Sequence, residues 1–302
     1  MIRTKAGTAA LSIASNSLLI AAKLAAGAIT GSIAIVTEAA HSSIDLVASV
    51  IAYVSVRKAD EPPDPEHPYG HERFESLAAA IEGMLVLVGA GIIVYAATRR
   101  LVVGAEVERL GVGIAVIAAS AVINLAVGGL LRRRGRELRS AALEGDAAHL
   151  TADALTSIGV LVGLGLVVLT GDAVFDPIAA LAVAAAIVYS GLRILTRSSR
   201  ALVDEAPPAA ELDRIEATIA EERPGTPEVV GYHKLRARRS GARTLVDLHL
   251  QFRSGTSLER AHAIAHALRA AIEAELGPSE VLIHVEPEAS FRPDERGPLR
   301  AG

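Results

Sequence analysis

The sequence predicts an all-α membrane domain of six transmembrane helices followed by a small soluble α+β domain, and three observations predict it. Hydrophobic residues make up 51% of the 302 and the mean hydropathy is +0.39, high for a soluble chain. The apolar residues are concentrated before residue 200, while the last hundred residues are charged and mixed. Before that shift they fall into six runs, each near or beyond the roughly 20 residues that carry a helix across about 30 Å of hydrocarbon.

The runs cover residues 9–29, 33–56, 77–97, 110–131, 143–169 and 178–195. They lack the alternation of barrel strands, and a helix is the other form that satisfies its own backbone in lipid. The first run has no convincing cleavage site and leads into a second, so it reads as a span rather than a leader. Lys and Arg near the span ends set the orientation. With the N-terminus inside, the inner segments hold Arg3, Lys5, Arg57, Lys58, Arg73, Arg132, Arg133, Arg134, Arg136, Arg139, Arg193, Arg197 and Arg200, against Arg99, Arg100 and Arg109 outside. Thirteen against three places both termini in the cytoplasm.

After Arg200 the stretch LVDEAPPAAE carries two prolines and marks a linker, residues 201–207. An amphipathic helix is expected over 211–222, strands over 229–238 and 244–252 with a turn through Ser240 and Gly241, a helix over 258–276 and a last strand over 281–285. This α-β-β-α-β order predicts helices on one face of a sheet. The domains are therefore expected at 1–200 and 208–290, with 291–302 a disordered tail.

A net charge of −4 points to no nucleic-acid partner. Cysteine is absent, so a metal would be held by His, Asp, Glu, backbone or water. The second run contains EAAHSSID (Glu38, His41, Asp45), and the fifth contains DAAHLTAD (Asp146, His149, Asp153). Positions three and four apart share a helix face, so each triplet forms one polar stripe. A carboxylate at the bilayer centre costs about 2.5–3.5 kcal/mol on insertion scales, so the stripes are expected to face each other or a wet cavity. His41, Asp45, His149 and Asp153 then offer four N/O ligands suited to tetrahedral zinc. Glu38 and Asp146, nearly one turn away, would line the entry path or support the ligands. Structural polar contacts between helices, of the kind Asn16 and Asn124 could make, are the competing reading. Two matched His/Asp pairs on different spans favour metal over it.

On these residues the chain resembles the cation diffusion facilitator family, and most closely its bacterial zinc and ferrous-iron efflux branch. The resemblance covers nearly the whole chain: six spans, His-x-x-x-Asp in the second and fifth, and a cytosolic domain of metallochaperone-like, ferredoxin-like fold. It implies that His41, Asp45, His149 and Asp153 form the transport site. It also implies a two-His, two-Asp set associated with zinc, with Fe²⁺, Cd²⁺, Co²⁺ or Mn²⁺ as further candidates. In the loop DEPPDPEHPYGHERFES, spacing alone leaves a polar turn and a ligand set equally open for Asp64, His67 and His71. The resemblance implies a second zinc site there. It pairs Arg73 with an acid after the sixth span, Asp204 or its neighbour Glu205. In the soluble domain it implies a binuclear zinc site at a homodimer interface, built from His233, His249, His262, His284 and Glu286, the last standing where Asp is common. His266 is expected on a solvated helix face, and Glu82, in the third span, is expected to be structural.

The function expected is efflux of a divalent cation, Zn²⁺ first, in exchange for protons by alternating access, from an inner (cytoplasmic) membrane. The cytosolic domain would dimerise the protein and sense zinc. The alternatives are a passive metal channel or sensor, and an intramembrane metallohydrolase. The last is disfavoured by the closed ligand set and the lack of His-Glu-x-x-His.

Overall fold

The structure, a computed structural model, describes the backbone of residues 4–30, 33–103, 112–222 and 225–290. Side chains are described for these residues except 30, 33–38, 40, 41, 44, 112, 113 and 290. Two compact units divide the chain, Met1–Leu202 and Val203–Gly302. The expected tail at 291–302 and the expected start of the fourth span at 110 lie outside the described residues.

The first unit comprises α1 (Lys5–Thr30), α2 (Ile33–Ala59), α3 (Arg73–Val103), α4 (Val112–Glu137), α5 (Ala141–Thr170) and α6 (Phe175–Leu202). Among the described residues, five segments are long and apolar enough to cross a membrane: Lys5–Ile29, Arg73–Val103, Ile114–Glu137, Ala141–Thr170 and Phe175–Leu202. The expected second span coincides with α2, several of whose side chains are not described. The helices overrun the apolar segments because their polar ends stay helical. Arg57 and Lys58, Arg134 and Arg136, and Arg200 close α2, α4 and α6, where cations suit the carbonyl end of a helix and long side chains can reach toward water. Large apolar side chains such as Leu18, Val88, Ile92 and Val168 are exposed on the outside of the unit, as a lipid-facing surface requires.

Helix α5 contacts each of the other five helices, which is why its polar residues are buried. Ser140 caps its start, accepting from the Leu143 amide, and Gly171 ends it in the left-handed region at φ 76°. Gly159 and Gly163, four residues apart, let α6 approach closely. A Cβ at Gly163 would stand 2.8 Å from Asp176 Oδ1, and one at Gly159 2.7 Å from Val183 Cγ2.

The second unit runs α7 (Ala209–Glu222), β1 (Val229–Ser240), β2 (Arg243–Phe252), α8 (Leu258–Leu276), β3 (Ser279–Pro287) and a 3-10 turn at Glu288–Ser290. The sheet order is β1-β2-β3. The β1/β2 pair is antiparallel across a tight turn, and the β2/β3 pair is parallel, a pairing that needs a crossover, which α8 supplies. Strict alternation in β2 turns Val246, Leu248, Leu250 and Phe252 toward Ile215, Ile219, Ile264, Leu268 and Ile272 of the two helices. Asp247 and His249 fall on the other face.

One buried carboxylate ties this unit together. Glu211 accepts from Thr244 Oγ1 at 2.6 Å and from Arg239. Burial pushes its pKa up, but these two bonds outweigh that and hold it below the ordinary carboxylate value. A depressed folded pKa contributes stability that is present above the unfolded value near 4.3 and is lost as pH falls through the folded one. Glu211→Gln is therefore expected to cost the second unit about 1–3 kcal/mol at pH 7. Denaturant unfolding should show the gap to wild type closing toward pH 3; a pH-independent gap would contradict the assignment.

Candidate metal centres

Helices α2 and α5 bring the two sequence stripes together. His149 Nε2 lies 3.1 Å from Asp45 Oδ1 and 3.8 Å from Asp153 Oδ2. One ligand atom from each of Asp45, His149 and Asp153 can be chosen so that all lie within 4.8 Å of one another, a spacing one ion can bridge. Asp45 and His149 are 5% and 6% exposed. Glu38 and His41 lie on α2, but their side chains are outside the described residues.

Asp146 does not join this group directly. It is fully buried, and its Oδ1 accepts from Ser49 Oγ at 3.1 Å. Ser49 accepts from Asn16 Nδ2 at 2.8 Å and shares a hydrogen bond with Ser12 Oγ at 2.9 Å. The result is a polar network linking α1, α2 and α5. Lys23, a residue the sequence reading passed over, is 3% exposed on α1 and donates to Ser42 Oγ at 2.7 Å. A charge inside an apolar run was the signal that could have found it.

A second group forms on the loop between α2 and α3. Asp64, His67 and His71 have ligand atoms within 4.8 Å of one another. The Asp64 carboxylate accepts from the backbone amides of His67 (2.6 Å) and Glu66 (2.9 Å), which hold its pKa below the ordinary value and keep it ionised. His71 Nε2 is 3.1 Å from Asp64 Oδ2, its ring is 4.6 Å from that of His67, and Phe74 backs both. Two imidazoles and a carboxylate so arranged fit a zinc-type ion.

The third group lies on the sheet face away from the helices. Register places His233 opposite His249, and His249 beside His284, in a row across the three strands. Glu286 bridges two of them, with Oε1 meeting His233 and Oε2 3.3 Å from His249 Nδ1. Gln251 Nε2 adds a bond at 3.2 Å. Burial pushes the Glu286 carboxyl up, but the bonds from the two imidazoles outweigh it and keep it below the usual range. Its side chain thus reaches both histidines. The His284 ring is 4.6 Å from that of His249. His262, expected in this set, is not brought to it within one chain: α8 packs on the opposite sheet face, and the His262 ring meets that of His266 at 4.5 Å. Asp204 pairs with Arg238 at 2.8 Å within its own unit. Arg73 opens α3 in the other unit.

Comparison with known proteins supplies the context for these groups. A family model described as the cation efflux transmembrane domain matches residues 9–203, and one described as the cation efflux protein cytoplasmic domain matches residues 207–288. An uncharacterised transporter of Synechocystis, sll1263, is 32% identical over 92% of this chain and 89% of its own. The cation-efflux pump FieF of Klebsiella pneumoniae is 33% identical over 95% of this chain and 93% of its own. Among solved structures, the metal-bound C-terminal domain of the CzcD transporter from Thermotoga maritima is 25% identical, covering 28% of this chain and all of that one, with a TM-score of 0.25.

Proposed function

The chain belongs to the cation diffusion facilitator family of metal cation efflux transporters, and from that premise we propose that it exports Zn²⁺ in exchange for protons, as a homodimer, by alternating access. The observation that carries the reading is the meeting of His149 with Asp45 and Asp153 across two helices inside an integral membrane unit. His41, four residues before Asp45 on α2, completes a two-His, two-Asp set of the kind that suits tetrahedral zinc. Fe²⁺, Cd²⁺, Co²⁺ and Mn²⁺ are secondary candidates.

The chemistry follows from the donors. A ligand must be deprotonated to bind metal, and imidazole changes charge near its ordinary pKa of about 6.5. When the site opens inward, Zn²⁺ displaces protons from His41 and His149. When it opens outward, protons displace Zn²⁺. The same four groups hold either cargo, so a proton gradient drives export. Both termini lie in the cytoplasm, and the membrane is the cytoplasmic membrane. Residues 1–200 form the transport domain, 201–207 the linker and 208–290 the dimerising, metal-sensing domain. The loop group and the sheet group would hold resident zinc. His262 and His284 complete the sheet group at the dimer interface.

Flux into proteoliposomes tests the reading. Uptake of Zn²⁺, Fe²⁺, Mn²⁺ and Cd²⁺ is measured with and without an imposed pH gradient. Zn²⁺ accumulation that follows the gradient is expected. Uptake indifferent to it would make the protein a passive channel.

A further inference from the structure

Glu82, expected to be structural, has surroundings that suit a second role. Glu82 on α3 is fully buried, and neither of its carboxyl oxygens makes a hydrogen bond among the described residues. Its ionisable neighbour is Asp146 on α5, also fully buried, whose Oδ2 is likewise without a hydrogen bond there while Oδ1 is held by Ser49. Gly145 makes the approach possible. A Cβ at that position would collide with Glu82 Oε2 and stand 3.1 Å from the Cα of Ala79, so glycine leaves the space in which the carboxyl lies against the α5 backbone.

The same helix shows how this fold treats a carboxylate kept for structure. Glu75, two turns earlier on the same face of α3, is 1% exposed but has Lys5 Nζ at 2.6 Å and the Ser140 hydroxyl as partners. Glu144 pairs with Arg197 at 2.5 Å. Among the described residues Glu82 has no such partner, and with Asp146 Oδ2 its two oxygens make three buried carboxyl oxygens without a hydrogen bond. Asp146 has the His149 imidazole as an electrostatic neighbour, but among the described residues Glu82 has no cationic one, so the pair stays fully ionised only with a further cation.

We propose that Glu82 and Asp146 form an inner divalent-cation site, one helical turn before His149, where cargo is first held by oxygen donors alone. Asp146 precedes His149 by three residues, about 4.5 Å of helix rise, so an ion there is within one step of the transport ligands. An all-oxygen pair binds weakly and without strong preference among divalent ions, and the imidazoles that follow select nitrogen-seeking ones. A divalent ion would cancel both charges. Protons, one on each carboxyl, are the other cargo that would neutralise the pair, and the pH dependence of transport separates the two. The proposal rests on the transport reading for its place along the path, but binding itself is counted without flux.

The test counts Mn²⁺, which favours oxygen ligands and reports itself by electron paramagnetic resonance, on the full chain in detergent. In a background carrying Asp153→Ala, His71→Ala and His249→Ala, the remaining membrane-unit ion is expected to weaken about tenfold or more on adding Glu82→Gln. Should that background fail to fold, the same loss is read in the otherwise wild-type chain as one ion fewer per chain. In proteoliposomes Glu82→Gln alone should raise KM for Zn²⁺ with kcat little changed. Unchanged Mn²⁺ binding in both backgrounds overturns the proposal. So does unchanged binding with a shifted pH dependence of transport, which would mean that the pair holds a proton instead.

Discussion

Asp45→Ala is expected to abolish proton-coupled zinc export while leaving the protein folded, and no other single substitution should have a larger effect. Removing an outer partner of a metal ligand commonly costs 10–100-fold in affinity, so removing a ligand should lower transport at least about 100-fold. The fold should not follow. Asp45 is 5% exposed and its described contact is His149, so the membrane unit bears the cost of a buried carboxylate for the sake of the site. Alanine relieves that cost and leaves an imidazole that can remain neutral. Thermal unfolding in detergent is expected to be unchanged or shifted upward as flux is lost. Asp153→Ala should behave in the same direction. Export that survives either change would remove the α2–α5 group as the transport site. Loss of flux accompanied by loss of fold would assign Asp45 a structural role.

The parts of the molecule legible in the sequence are those that local periodicity can carry. The apolar runs placed the helices of the first unit to within a few residues at most ends, and the strand expected over 244–252 is β2 to within a residue. The repeated His-x-x-x-Asp could be read because each half explains the charge of the other. What periodicity could not carry is pairing between distant segments. Ser12, Asn16 and Ser49 are ordinary polar residues in apolar runs, and their shared task appears only when α1, α2 and α5 meet at Asp146. Glu82 and Glu75 look alike in sequence, both seven residues apart on one face of α3. Their environments separate them: one finds Lys5 and Ser140, the other does not. His262 lies on α8, which covers the opposite sheet face within one chain, so its expected place in the group depends on a second copy that no periodicity can supply.

Zinc in about thousandfold excess over its dissociation constant is expected to stabilise the second unit by about 4 kcal/mol, which for a domain of this size raises the unfolding temperature by roughly 15–30 °C. The geometry behind this is a row of groups across all three strands. His233 on β1 and His249 on β2 are bridged by Glu286 on β3, which pairs with β2 and follows it in the chain after the α8 crossover. A bound ion would therefore tie together strands that are otherwise held by the ladder and by the core on the opposite face. Glu286 stands where the family commonly has Asp, yet its longer side chain already meets both imidazoles, so the extra methylene does not put the carboxylate out of reach. His249→Ala should leave the metal-free unfolding temperature within a few degrees of wild type, because His249 is a quarter exposed and its bond to Glu286 is long. The same substitution should erase most of the zinc-dependent shift. A shift that persists in His249→Ala would move the ion elsewhere, with the exposed His262 and His266 on α8 as the next residues to replace.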